Sequence, residues 1–177
     1  AIQLERWLEL EELGFDSLWL ADHFVNPARP GGRWFESHTL MAAAAARTRS
    51  IRIGALVASI TFRHPALFAK EVLTLDHISG GRVELGVGAG GAPNDFEMTG
   101  LDGWTPRERA RRFREFVRLL EALLAEPGEE GATVTFAGEY YQSCEAVMNP
   151  GPVQRPRPPL TLAAGGPVNM KFAAKVA

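Results

Sequence analysis

Segments of helical apolar period alternate with short apolar runs of strand length from end to end, and this alternation leaves few folds open to the chain. Leu4, Trp7, Leu8 and Leu13 predict a helix over 2–13, with Gly14 where a helix end favours left-handed backbone. The run from Phe15 to Ala21 predicts a buried strand that opens into a loop at Asp22-His23. Pro27, Pro30, Gly31 and Gly32 keep that loop irregular to about Glu36, and Leu40 to Ala46 follows as an alanine-rich helix. Ile51 to Ile60 reads as the second strand, and the next helix starts at His64-Pro65 and stops at Gly80-Gly81. Val83 to Gly88 is a third strand, running into the turn Ala89-Gly90-Gly91-Ala92-Pro93-Asn94 and then a loop. Thr105-Pro106-Arg107-Glu108 has the form of a capped helix start, and Phe113, Phe116, Val117, Leu120, Leu123 and Leu124 make one apolar stripe beyond it. A small hairpin over Thr133–Phe136 and Tyr140–Tyr141, an extended connector from Pro150 to Pro159, a strand over Leu160–Ala164 and a helix from Val168 complete the order.

Strands separated by crossover helices build a parallel sheet, which sets the class as α/β. Two architectures satisfy the order: an open doubly wound sheet, and a closed (β/α)8 TIM barrel of which about four parallel strands with flanking helices are present. Both place chemistry at the carboxyl ends of the strands. Those ends are Asp22-His23, the segment around Ser59-Ile60-Thr61, Gly88 to Asn94, and Gly165-Gly166. Gly86, Gly88 and Gly91 fit the G-x-G-x-x-G pattern of a dinucleotide-binding protein. That motif needs a following strand ending in an acid about 20 residues on, and an arginine-rich helix stands there instead, so the open-sheet reading is the poorer one.

Charge and composition exclude several classes. With 19 Lys+Arg against 21 Asp+Glu the net charge is −2, which offers no field to nucleic-acid phosphates or an anionic membrane. One cysteine, Cys144, excludes an internal disulfide and a multi-thiolate zinc site; His38, His64 and His77 lack metal-ligand spacing, and no metal is assigned. No run reaches the ~20 apolar residues of a membrane span, and no secretory signal opens the chain, so the cytoplasm is the expected location. Arg107, Arg109, Arg111, Arg112, Arg114 and Arg118 are interleaved with Glu108, Glu115 and Glu121, and read as a solvated helix face rather than an anion site. The chain opens in helical pattern without Met and closes in helical pattern at Lys175-Val176-Ala177, so it reads as part of something longer.

Four blocks carry a resemblance. Glu12 through Phe24 (ELGFDSLWLADHF), Phe62-Arg63-His64-Pro65, Asp76 through Gly90 (DHISGGRVELGVGAG) and Pro158-Pro159-Leu160 through Gly166-Pro167 are ordered and spaced as in the bacterial-luciferase-like monooxygenases. The chain particularly resembles the branch that uses the deazaflavin coenzyme F420. The resemblance implies a (β/α)8 barrel binding FMN or coenzyme F420 at its carboxyl-terminal mouth, with 1–177 a single incomplete barrel domain whose first strand and C-terminal strands are missing. It implies a flavin- or F420-dependent oxidoreductase acting on a small organic substrate, by hydride transfer or oxygen activation. A half-barrel also leaves unpaired strand edges, which favour pairing with another chain, so a homo-oligomer and a noncatalytic assembly partner both stay open.

Site residues follow from that resemblance and from residue chemistry. The family presents a polar pair to the ring where Asp22 and His23 stand: His23 would exchange a proton with a substrate oxygen, and Asp22 would fix a hydrogen bond to ring or substrate. A loop histidine held by strand-end carbonyls is the plain alternative. The strand segment Gly54-Ala55-Leu56-Val57 matches the place where the deazaflavin branch has a non-proline cis peptide, although a plain buried strand fits the same residues; Leu56 and Val57 are its cofactor-contact candidates. Ser59 and Thr61 offer hydroxyls near the strand end. Gly88 and Gly90 would let backbone approach a flat ring, and Asn94 falls at the place of a cofactor-contacting asparagine. Ala164, Gly165 and Gly166 precede a helix start, suited either to a cofactor phosphate or simply to a tight turn. Trp34 and Phe35 fit a substrate lid or helix packing equally. In the sugar-phosphate dehydrogenases of the branch an acid replaces Gly91 and an aromatic lies near Ala28; their absence argues against that substrate class.

Overall fold

A computed structural model describes residues 2–125 and 132–176. The ends read above as helical, Ala1 and Ala177, lie outside the described residues. The order is α1 (Ile2–Glu12), β1 (Ser17–Leu20), α2 (Ser37–Arg47), β2 (Arg52–Ser59), a 3₁₀ turn (Ile60–Phe62), α3 (Pro65–Ser79), β3 (Val83–Gly88), α4 (Pro93–Thr99), α5 (Pro106–Leu124), β4 (Val134–Ala137), β5 (Gln142–Ala146), β6 (Leu160–Ala163) and α6 (Pro167–Val176).

Local chemistry sets the boundaries. His64 caps α3 by accepting the Ala66 N–H through Nδ1 at 3.2 Å, Pro65 takes the first turn, and Gly80 ends the helix at φ +65°. Thr105 Oγ1 accepts the Glu108 N–H at 3.2 Å to start α5, but Glu108 turns to Arg112 at 2.9 Å instead of closing the box. Helix α2 begins at Ser37, before the expected Leu40, because the Glu36 carboxylate accepts the His38 and Thr39 N–H groups at 3.1 and 2.6 Å. The loop expected after the glycine turn contains α4. Strand β5 starts at Gln142 rather than Tyr140, since the Tyr140 and Tyr141 N–H groups donate to Glu115 at 2.7 and 2.6 Å and are lost to strand pairing.

The four main strands form one parallel sheet in the order β1-β2-β3-β6, and β4 and β5 form a separate antiparallel pair. Leu18 lies beside Ile53, Ile53 beside Val83, and Leu85 beside Leu160. The sheet follows chain order, with no reversal to make the switch point of a doubly wound fold, which removes the open-sheet dinucleotide-binding alternative. What is present is an α/β arrangement of four parallel strands flanked by helices. Phe68 from α3 and Phe113 and Phe116 from α5 are essentially without solvent contact, each burial being worth about 1.5–3 kcal/mol. Arg82 ties the layers by donating to the carbonyls of Ala45, Thr48, Ile51 and Ser79 at 2.7–3.0 Å. Buried Asp76 accepts the Val153 and Gln154 N–H groups at 2.7 and 3.1 Å, which anchors the proline-rich connector. No helix among the described residues is long and apolar enough to cross a membrane.

Candidate active site

The β1 end delivers Asp22 into a fully used network. Its Oδ1 accepts from Ser37 Oγ at 2.7 Å and Arg63 Nη2 at 2.8 Å, and its Oδ2 from the Ser59 N–H at 3.0 Å and Arg63 Nε at 2.9 Å. Burial alone would push this carboxyl up, but the two-nitrogen bond and charge of Arg63, with the Ser37 hydroxyl, outweigh it and hold Asp22 below the ordinary carboxylate range. The structure therefore makes Asp22 a brace between the β1 and β2 ends, with its acceptors spent inside the protein. Arg63 also reaches Glu36 at 2.7 Å and Glu71 at 3.0 Å. Asp22, Glu36 and His38 come close enough to share a cation, and the Arg63 guanidinium bonds both carboxylates there.

His23 is placed differently. Its side chain is 31% exposed, and its Nδ1 lies 2.9 Å from Oδ2 of Asp95, a residue of α4 that is 1% exposed. The other Asp95 oxygen accepts the Phe24 N–H at 3.1 Å.

A cavity of about 630 Å³ gathers most of the expected residues at the carboxyl ends of the strands. Asp22, His23, Leu56, Val57, Ser59, Gly88, Gly90 and Gly165 all line it. The Leu56–Val57 peptide is cis, within the stretch Gly54-Ala55-Leu56-Val57 that the resemblance marks. Gly90 has φ +69°, and a Cβ there would overlap Thr61 Oγ1 and stand 2.9 Å from Ser59 Oγ; those two hydroxyls bond each other at 3.1 Å. Around Gly165 a Cβ would meet nothing within 4 Å.

Asn94 lies in α4, one residue before Asp95, and is not part of this lining; Ala164 and Gly166 flank Gly165 without lining it, and Ala163 does so instead. Trp34 and Phe35 are not brought to this mouth. They line a separate cavity of about 140 Å³ with Leu20 and Ser37, and Trp34 Nε1 is buried without a hydrogen-bond partner among the described residues. A further cavity of about 420 Å³ shares Asp22 and His23 and includes Phe24 and Phe62, whose ring centroids are 4.5 Å apart.

Sequence reasoning missed Asp95, Arg109 and Asn169. Arg109 from α5 lines the large cavity, with its guanidinium against Gly91, where a Cβ would stand 2.6 Å from Nη1. No carboxylate pairs with it among the described residues. Asn169 of α6 is buried and lines the same cavity; its Oδ1 accepts from Arg114 Nη1 at 2.7 Å, so the group it has left to offer is its Nδ2 donor pair. Arg109 and Arg114 thus depart from the solvated face expected of their helix.

A parallel sheet in chain order, with one cavity across its carboxyl ends, defines half of a (β/α)8 barrel of the kind that binds its ligand at that mouth. The family model of luciferase-like monooxygenases matches residues 3–177, and the chain belongs to this family. An F420-dependent glucose-6-phosphate dehydrogenase of Amycolatopsis mediterranei (strain U-32) is 36% identical over 173 residues, covering 97% of this chain and 50% of that protein. The 4-hydroxyprotoasukamycin monooxygenase of Streptomyces nodosus subsp. asukaensis is 32% identical over 173 residues, covering 97% and 43%. Among solved structures, an F420-dependent secondary alcohol dehydrogenase in complex with an F420-acetone adduct superposes with a TM-score of 0.84 at 28% identity, over 98% of this chain and 51% of that one. Monooxygenase RslO1 from Streptomyces bottropensis gives a TM-score of 0.82 at 30% identity, over 97% and 51%. The chain spans about half the length of the curated relatives it matches.

Proposed function

We propose that this chain supplies the ring-binding half of a cytoplasmic oxidoreductase that uses FMN or coenzyme F420 on a small organic substrate, the chain being one incomplete barrel domain. The observation that carries this reading is the 630 Å³ cavity that joins His23, Leu56, Val57, Gly88, Gly90 and Gly165. Its volume lies in the range of sites that enclose a small ligand, and glycine backbone along one wall suits a flat ring. The residues present fit such a coenzyme. Gly88, Gly90 and Val57 would flank the ring, while Gly165 in the turn ahead of α6, Arg109 and the Asn169 Nδ2 donors would take a phosphate. When bound, the coenzyme supplies the hydride-transfer or oxygen-activating chemistry. His23 holds or moves a proton at the ring nitrogen that Asp95 leaves open, and Asp22 keeps the β1 and β2 ends together. The substrate is assigned to the cavity that His23 shares with Phe24 and Phe62. Gly91 and Ala28, in place of an acid and an aromatic, speak against a sugar phosphate.

The test is a fluorescence titration with FMN and with F420, run on this chain and on a version extended to the length of its relatives. Saturable binding of one coenzyme by the longer form is the expected result. Failure of both coenzymes to bind the longer form would refute the proposal.

A further inference from the structure

Two facts about His23 have no explanation in the packing of the fold. Its imidazole is partly open to both cavities, yet one face of its chemistry is fixed: Nδ1 is 2.9 Å from a carboxylate oxygen that is almost wholly buried. Nε2 makes no hydrogen bond among the described residues. Asp95 itself is set from two sides. Its own helix follows the glycine turn directly, with the Asp95 N–H donating to the Ala92 carbonyl at 3.1 Å, and its Oδ1 is occupied by the Phe24 N–H next to His23. The carboxylate therefore reads both the backbone and the ring of the same loop.

We propose that Asp95 is the positioning residue for His23, fixing which ring nitrogen carries the hydrogen. This rests on the reading of His23 as the proton-handling group of the site. A carboxylate accepts and does not donate, so the imidazole nitrogen beside it is the N–H, and the neutral ring is held as its Nδ1–H tautomer. Nε2 is then the lone-pair nitrogen, free to accept a proton from a substrate oxygen and to return it. A hydrogen bond to a charged acceptor biases the tautomer by roughly 10- to 100-fold over a ring without that partner. Asparagine in place of Asp95 could still take the Phe24 N–H through its oxygen while turning its NH₂ toward Nδ1. That arrangement needs Nδ1 as an acceptor and moves the hydrogen to Nε2, where it blocks the base.

Nitrogen-15 NMR of labelled histidine in this chain reads the outcome directly. The expected result is Nδ1–H in the unchanged chain, the hydrogen moved to Nε2 in Asp95→Asn, and no change in Asp102→Asn, which removes an exposed charge from the following loop. An Nε2–H ring in the unchanged chain overturns the proposal by itself, so the test survives a variant that fails to fold. An unaltered tautomer in folded Asp95→Asn, or an equal change in Asp102→Asn, overturns it as well. The coenzyme titration is scored separately. A moved hydrogen with neither coenzyme bound leaves the positioning intact and removes the redox reading, whereas coenzyme binding with an unmoved hydrogen removes the positioning alone.

Discussion

Replacing Arg63 by methionine tests whether Asp22 is a structural brace. The guanidinium bonds Asp22 through two nitrogens at 2.8 and 2.9 Å, Glu36 at 2.7 Å and Glu71 at 3.0 Å, and its side chain is 9% exposed. The three links differ in worth. The Asp22 side chain is 2% exposed, and removing one partner of such a buried pair costs about 3–5 kcal/mol; Glu36, 51% exposed, and Glu71, 30% exposed, add no more than roughly 1 kcal/mol each. Arg63→Met keeps much of the length but gives up the cation–π contacts with Phe62 and Phe68 as well as the ion pairs, so the expected loss is about 3–5 kcal/mol, a large part of the ~5–15 kcal/mol of an ordinary domain. Its sign with pH is also fixed. In the unchanged chain Asp22 sits below its ordinary value of 3.8, so its contribution is present above that pH and is lost as pH falls toward the folded-state value. Without Arg63, burial dominates and raises Asp22 above its unfolded value. The variant then recovers stability as the carboxyl protonates, and its deficit shrinks between pH 7 and pH 4. Urea unfolding followed by tryptophan fluorescence at both pH values measures this, and Asp22→Asn added to Arg63→Met should restore part of the loss. A deficit under about 1 kcal/mol at pH 7, or one that grows toward pH 4, refutes the brace and returns Asp22 to the group of residues free to touch a ligand.

Three other perturbations have defined outcomes. Gly90→Ala forces a Cβ onto Thr61 Oγ1 at a left-handed φ, and should cost about 2–4 kcal/mol, read by calorimetry as a lower Tm; an unchanged Tm contradicts the close approach of Gly90 to Thr61. Glu11 accepts the N–H groups of Arg49, Ser50 and Ile51 at 2.7–2.9 Å, and against the upward push of burial these bonds lower it from 4.5 to about 2. That fall is worth roughly 3 kcal/mol in full at ~1.4 kcal/mol per pH unit, and about 1–2 kcal/mol after solvent screening; the unchanged chain should lose this between pH 4.5 and 2 while Glu11→Gln does not, and parallel stability curves would rule it out. Arg109→Ala should weaken coenzyme binding about 10- to 100-fold in the extended chain if the guanidinium takes a phosphate, and equal affinities in the titration would exclude that role.

What could be seen from sequence, and what could not, divides by the distance over which the cause acts. Helix α3 was legible because its cap, its first-turn proline and its closing glycine all lie within one stretch, His64 to Gly80, and the β3 strand because Val83 to Gly88 is bounded by glycines. The alternation made the strands parallel but left their order open, since a doubly wound sheet reverses at a switch point and a barrel does not; the consecutive order is what the family resemblance implied. Helix α4 has a first-turn proline, Pro93, and a closing glycine, Gly100, but Ala92 offers it no side-chain cap and its seven residues are too few to display an apolar period. What holds it to the rest of the fold comes from afar: Phe96 stacks edge-on to Trp104, and Asp95 is taken by His23 and Phe24. The polar strand ends marked the mouth, but the division of labour between neighbours Asp22 and His23 is decided by Arg63 and Asp95, 41 and 72 residues away from their respective partners. Arg109 shows the same limit from the helical side. The apolar stripe of α5 says only that this residue is off the core, and a position off the core is solvent on an isolated helix but cavity wall where β3 and β6 bring Gly91 and Gly165 alongside. Periodicity can therefore place a side chain relative to its own element, while the choice between a solvated charge and a binding one belongs to whichever strand ends the sheet carries past it.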